Sequence, residues 1–286
     1  MDNCTCNTDR AITCRVHPHR DTYPNADHLT KWVQLREAAR VNGQSGDPNI
    51  DNWRYCNVRR QDDKVTKFVR EWLEPWEDHP MLIPNTVMAR LFNNPATLEA
   101  IGFQEQWDPM WIKDCTDEIK SYGNTVFNAA YIVSTNGRKM DKVEYLCTEV
   151  LPEAFRRNVN LGYAELEDTW RQLTSINGIG SFMGAQVVAD LKYTRPFEKA
   201  ADWWTFVAPG PGSMRGMNRL RGLDAKAQKY NEKAFSMYIQ PVRGIIKACT
   251  GIDLCAQDTQ NTLCELDKYM RLVTGEGRPK QKYTRS

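Results

Sequence analysis

No stretch of this 286-residue chain approaches the roughly 18 consecutive apolar residues needed to cross a bilayer. The first residues carry polar Asp, Asn and Cys where a secretory leader needs an apolar run. Both absences argue against a membrane role and lead to the expectation of a cytoplasmic protein. Its nine cysteines are then reduced thiols or metal ligands rather than a disulfide framework. Strong net charge is also missing, the formal value being only +2. Nothing reads Gly-x-x-x-x-Gly-Lys-Ser/Thr, which argues against an intrinsic P-loop kinase. Internal repeats and low-complexity segments are absent. Strand signals are scarce, since Ala129-Ala130-Tyr131-Ile132-Val133 is β-compatible but equally suits a buried helix.

What is present is a folded, helical chain. Its 41% hydrophobic content and frequent Trp and Tyr fit one compact helical body or two lobes. Helical spacing begins near Leu29 and runs through Trp32-Val33-Leu35 and Val65-Phe68-Val69-Trp72-Leu73. Pro75, Pro80 and Pro84 then interrupt it. Further helices are expected over Thr86 to Phe92, Pro95 to Ile101, Pro109 to Tyr122, Lys142 to Leu146, Tyr163 to Thr174, Phe182 to Leu191, Ala225 to Lys247 and Thr259 to Val273. The expected organisation is an N-terminal Cys/His arm over 1–45, an all-α body over 46–274 and a basic tail over 275–286. In the arm, Cys4, Cys6, Cys14 and His17, with His19 nearby, supply enough soft ligands for a tetrahedral zinc site. They lack the two-pair spacing of common zinc fingers, and a tail with idle thiols is the alternative. No other cofactor is required.

The small net charge hides an uneven distribution. Nine Lys/Arg oppose four Asp/Glu between Lys192 and Lys233, and six oppose two from Asp267 to Ser286. Such patches can neutralise DNA phosphates or simply be solvated helix faces. Before the first of them stands Leu-Thr-Ser-Ile-Asn-Gly-Ile-Gly-Ser-Phe (173–182), which reads as a helix-hairpin-helix over 173–191. A helix ending at Ile176 and another opening at Ser181 leave the hairpin's N–H groups, and those of the new helix's first turn, free to hold a DNA phosphate. Gly178 and Gly180 let the backbone approach. A helix C-cap followed by a tight turn uses the same residues.

Three further clusters stand out. Tyr55-Cys-Asn-Val-Arg-Arg-Gln-Asp-Asp63 packs two arginines, two amides and two carboxylates before a helix. There Asn57 and Arg59 or Arg60 could clamp a phosphate or carboxylate, and Asp63 could bind substrate or merely cap the helix and pair with an arginine. Ala208-Pro-Gly-Pro-Gly-Ser-Met-Arg-Gly-Met-Asn-Arg219 offers Gly210, Gly212, Ser213, Arg215 and Arg219 as an anion-binding loop, or as a rigid connection. Trp203 and Trp204 could stack on a flipped base or belong to the core. Cys249, Cys255 and Cys264 lack the four closely spaced thiolates of an iron–sulfur cluster and are read as buried thiols.

The hairpin with Asp202 downstream resembles helix-hairpin-helix DNA glycosylases, in which a catalytic aspartate follows at about this distance at the start of another helix. Phe182 stands where lyase-type members carry a lysine, which disfavours Schiff-base strand cleavage. Taken with Phe92-Asn-Asn-Pro-Ala-Thr-Leu-Glu-Ala-Ile-Gly102, Tyr131-Ile-Val-Ser-Thr-Asn-Gly137, Gly210-Pro-Gly-Ser-Met-Arg-Gly216, Asp258-Thr-Gln-Asn-Thr-Leu-Cys-Glu-Leu-Asp-Lys-Tyr269, Gly275-Glu-Gly-Arg-Pro279 and the 55–63 cluster, the chain resembles the phage family of alpha-glutamyl/putrescinyl thymine pyrophosphorylases. Relatives of that family include the helical domain fused to 5-hydroxymethyluracil DNA kinases and the amino acid:DNA transferases.

The resemblance implies a helical, DNA glycosylase-like fold redirected from base removal to base decoration in the infected host cell. The partners implied are double-stranded DNA carrying modified thymine, an amino acid or polyamine donor and, since no kinase domain is present, a separate base kinase. An amine would displace pyrophosphate from an activated 5-hydroxymethyluracil. The expected roles are a backbone grip by Gly178, Gly180 and Ser181, leaving-group contacts by Ser213, Arg215 and Arg219, and orientation or deprotonation of the amine by Asp202. Arg59 is expected to hold an amino-acid carboxylate. Asn57, Arg60, Asp63, Trp203, Gly210, Gly212, Lys268 and Arg278 complete the expected DNA- or substrate-binding set. The alternatives are a non-catalytic DNA-binding module serving a separate kinase, and a monofunctional glycosylase.

Overall fold

The structure is a computed structural model describing residues 21–128, 134–157 and 165–277. All regular elements among the described residues are helical, as the scarcity of strand signals implies. No helix among them is long and apolar enough to cross a membrane. The Ala129 to Val133 segment, Arg278 and the Cys4, Cys6, Cys14, His17 arm lie outside the described residues. Two compact units divide the chain, residues 1–63 with 204–286 and residues 64–203.

The first unit opens with α1 (Ala26–Asn42) and the single turn α2 (Pro48–Asp51). Within the 1–45 segment, therefore, residues 26–42 form a helix, and Leu29, Trp32 and Val33 on it are fully buried in that unit's core. The second unit is then built from α3 (Lys64–Leu73), α4 (Leu82–Phe92), α5 (Pro95–Ile101), α6 (Pro109–Ser121), α7 (Lys142–Tyr145), α8 (Leu151–Arg157), α9 (Leu166–Thr174) and α10 (Ser181–Leu191). The chain returns to the first unit for α11 (Pro211–Leu220), α12 (Glu232–Thr250) and α13 (Ala256–Val273).

In the second unit every residue of α4 is buried, and the hairpin helix α10 packs on it. The join is ionic at its centre. Arg90 of α4 makes a bidentate pair with Asp190 of α10, and its remaining N–H groups reach Asn93 Oδ1 at 2.9 Å and Thr66 Oγ1 at 3.1 Å. Both charged groups are at least 97% buried, so removing either would leave an uncompensated charge, costing about 3–5 kcal/mol. Between α7 and α8 the helix widens into a π turn, Leu146–Val150. Pro152 follows at once; it has no N–H to give and its ring crowds the carbonyl four residues back, which favours the wider turn.

Two expectations need correction. The helix expected from Ala225 begins only at Glu232, where Asn231 Oδ1 accepts from Ala234 N–H at 2.8 Å. The preceding carbonyls of Ala225 and Gln228 are taken by Asn218 Nδ2, both at 3.0 Å, so they make a turn and not a helix. The segment from Pro211, read as a loop or rigid connection, is the helix α11. Its Pro at the first position costs no hydrogen bond, and Ser213 closes the first turn.

Candidate nucleic-acid interface

The hairpin of the second unit is formed by α9, a turn over Ser175–Gly180 and α10. The first helix stops at Thr174, two residues before the expected Ile176. Ile176 and Ile179 anchor the turn in the core at 2% exposure each, and Ile179 N–H donates to Ile176 O at 3.0 Å. Gly178 has φ +87°, and a Cβ there would lie 2.6 Å from Val150 Cγ2 and 3.0 Å from the Tyr145 hydroxyl. The turn is thus pressed against the π turn, and any side chain at this position is strained by both the left-handed φ and the contact. Gly180 differs, since a Cβ there meets nothing within 4 Å. It precedes exposed Ser181 and Phe182, whose turn carries N–H groups that the helix itself cannot satisfy. The turn edges an open hollow of about 550 Å³ lined by Asn136, Glu153 and the hairpin from Thr174 to Gly180.

Asp202 lies in the same unit, in a turn and not at the start of a helix. Its two carboxylate oxygens accept from Leu166 N–H at 2.7 Å and Glu167 N–H at 2.9 Å. It therefore caps the N-terminus of α9, the first helix of the hairpin, from 36 residues away. Trp203 carries the Lys192 ammonium 3.8 Å from its ring centroid and donates from Nε1 to Lys192 O at 2.9 Å. A base stacking on that face would have to displace a buried cation.

The other expected residues fall in the first unit. Ser213 is 1% exposed, and its hydroxyl accepts from Gly210 N–H and donates to Gly210 O, both at 3.0 Å. Arg215 and Arg219 each donate to Asp267 of α13 at 2.9 Å, and Arg219 also makes a bidentate pair with Glu276 at 2.9 and 2.6 Å. These bonds hold the Glu276 carboxyl down at about 2 and push the Arg219 guanidinium above its usual range. The glycines of this segment serve packing: a Cβ on Gly212 would meet Cys264 Sγ at 2.4 Å and one on Gly216 would meet Leu263 O at 1.9 Å. The reading of Gly210 to Gly216 as an open anion-binding loop gives way to a helix packed closely on α13.

The 55–63 cluster joins α13. Cys56 N–H donates to Glu265 at 3.3 Å, Arg60 N–H donates to Asp258 at 3.1 Å, and Lys268 Nζ reaches Glu265 at 2.6 Å. Burial raises the Cys56 thiol and the Asp63 carboxyl, and pushes Cys264 up to about 11. For Lys268, burial acts most strongly and against the charge, but the Glu265 carboxylate together with Cys56 and Cys264 raises the ammonium above its ordinary value. Asp63 accepts from Asn57 N–H at 3.0 Å, while Asn57 Oδ1 accepts from Arg36 at 2.5 Å. Arg59 is half-buried; its carbonyl accepts from Asp62 N–H at 3.0 Å, while its side chain makes no ion pair or hydrogen bond among the described residues. No group of acidic, Cys or His side chains that could hold a metal occurs among the described residues.

Sequence reasoning missed the Arg90–Asp190 pair and Glu153, whose carboxylate accepts from Asn177 N–H in the hairpin at 3.1 Å. The signal for Glu153 was available, because Glu153 and Arg157 stand four apart on a helix.

Among the described residues these features amount to an all-helical protein with an exposed hairpin beside an open hollow in one unit and a closely packed, internally paired set of charges in the other. The chain belongs to the family described as 5-hmdU DNA kinase, helical domain, whose model matches residues 24–278. It is also similar to the 5-hmdU DNA kinase of Bacillus phage SP10, with 25% identity over 199 residues that make up 60% of this chain and 31% of that protein. The chain thus aligns with about a third of the relative's length. No solved structure matches.

Proposed function

We propose that the chain acts in the modification of 5-hydroxymethyluracil in phage DNA, holding the duplex by the hairpin and transferring an amine onto a phosphate-activated base. Family membership supports the base, and the hairpin supports the DNA. The observation that carries the reading is the turn at Gly180, where the exposed first turn of α10 opens and a Cβ would meet nothing within 4 Å, leaving room for a phosphate at a helix N-terminus. In the transfer, the amine nitrogen of an amino acid or polyamine attacks the 5-methylene carbon. The carbon–oxygen bond breaks, pyrophosphate leaves with the electron pair, and the new ammonium gives up a proton. The half-buried Arg59 guanidinium suits the carboxylate of an amino-acid donor. The DNA glycosylase-like character of the fold belongs to the same proposal.

A second reading, presentation of DNA to a separate base kinase, is favoured by a specific observation. Asp202, Ser213, Arg215 and Arg219, all expected to do chemistry, are already engaged as caps or in ion pairs. Incubation of the full chain with duplex containing pyrophosphorylated 5-hydroxymethyluracil, amino acids and polyamines, followed by nucleoside mass analysis, separates these readings. Transfer gives a new aminated nucleoside and names the donor. Unchanged nucleosides with the DNA still bound give the presenting role, and free base with an abasic site gives a glycosylase.

A further inference from the structure

The hairpin turns one backbone N–H outward at Asn177, and a carboxylate of the same unit has taken it. Glu153 Oε2 accepts that bond at 3.1 Å, and Oε1 is ion-paired with Arg157 one helical turn along α8. Arg157 Nη1 donates in turn to Ser175 Oγ at 2.6 Å, also on the hairpin. Both side chains reach solvent, Glu153 being 22% and Arg157 35% exposed, and Glu153 lines the open hollow beside the turn. An anion lying on a hairpin N–H with a guanidinium alongside reproduces what a backbone phosphate requires.

We propose that this is the seat of a DNA phosphate, occupied in the free protein by Glu153 as a stand-in, and that Arg157 is the phosphate's cation. On binding, the phosphate displaces the Glu153 carboxylate, accepts the Asn177 N–H and pairs with Arg157. Glu153 then works against binding, since two anions cannot share one donor. The proposal rests on the reading of the hairpin as the DNA grip. A structural role for Glu153 makes the opposite forecast, because loss of its charge would loosen the turn and weaken binding.

The test is the affinity of the full chain for a duplex oligonucleotide containing 5-hydroxymethyluracil, read by fluorescence anisotropy across a salt series. Glu153→Gln keeps a carbonyl oxygen for the Asn177 N–H but removes the charge, and it should bind roughly 3- to 10-fold more tightly at low salt. Arg157→Gln should bind about tenfold more weakly and flatten the slope of log K against log salt by about 0.9. Gly180→Asp serves as the reference: its Cβ has open space and Asp is a favourable N-cap, so the fold holds while the added carboxylate occupies and repels. Thermal unfolding of each variant confirms folding. Tighter binding by Glu153→Gln with the reduced slope of Arg157→Gln supports the proposal. Unchanged or weaker binding by Glu153→Gln, or an unchanged slope for Arg157→Gln, overturns it. Gly180→Asp binding like the unaltered chain would instead remove the hairpin reading beneath it.

Discussion

Gly178-Ile179-Gly180 in the second unit and Gly212-Ser213-Met214-Arg215-Gly216 in the first are both glycine-punctuated segments at the N-terminal turn of a helix, close to charged side chains. Their surroundings differ. At Gly216 the backbone of another helix, Leu263 O, already occupies the place of a Cβ, and at Gly212 the Cys264 sulfur does. At Gly180 that place is open. The charges are paired in both places, but Arg215 and Arg219 meet a fully buried Asp267, whereas Glu153, paired with Arg157, lines an open hollow. Glycine marks a close approach in each case. In the first unit the approaching group is the chain's own α13; in the second Gly178 meets Val150 and Tyr145, and only Gly180 leaves open space, which the proposed function gives to a DNA phosphate.

The comparison can be broken most severely at Gly216. Gly216→Ala drives a methyl into a backbone carbonyl on a helix that cannot turn aside, so destabilisation should reach or exceed the upper end of the about 1–3 kcal/mol typical of overpacking. Thermal or urea unfolding measures it, and a loss below about 1 kcal/mol would mean that α11 and α13 separate easily. Gly178→Ala combines a left-handed φ with a clash against the buried, β-branched Val150 side chain, and should cost about 2 kcal/mol by the same measurement. At Gly180 the same substitution should cost less, about 0.5–1 kcal/mol, because φ is ordinary and space is open and only the preference for glycine over alanine at a helix N-cap is lost.

The smallest effect is the pH response of the closing network. The Glu276 carboxyl, ordinarily near 4.5, is lowered to about 2 by the Arg219 hydrogen bonds. A depressed carboxylate stabilises the folded state fully above the ordinary value, and this is lost as pH falls from about 4.5 toward 2. The difference in melting temperature between the unaltered chain and Glu276→Gln should shrink across that window, and a difference that stays constant with pH would deny the linkage.

Much of the helical content was legible because apolar spacing and proline breaks act locally. Pro95 to Ile101 and the C-terminal end of α10 at Leu191 coincide with what spacing alone gives. The failures share one cause, a partner distant in sequence. Helix α11 is rich in Gly and Pro, residues that signal turns, and its helical state depends on Leu263 and Cys264 receiving those glycines. The early start assigned to α12 came from good helix formers at Ala225 to Lys229, whose neighbouring carbonyls Asn218 holds in a turn. At the site, the hairpin could be read from its own ten residues. That Asp202 caps α9 and that Asp267 collects two arginines from α11 could not be, since each requires the fold to bring separated segments together.

The most direct measurement is amide hydrogen exchange, residue by residue, with and without duplex DNA containing 5-hydroxymethyluracil. The account predicts that DNA slows exchange at Asn177, Gly180, Ser181 and Met183 and leaves Gly212 to Gly216 unchanged. No slowing at the hairpin, or slowing over Gly212 to Gly216 instead, would contradict it.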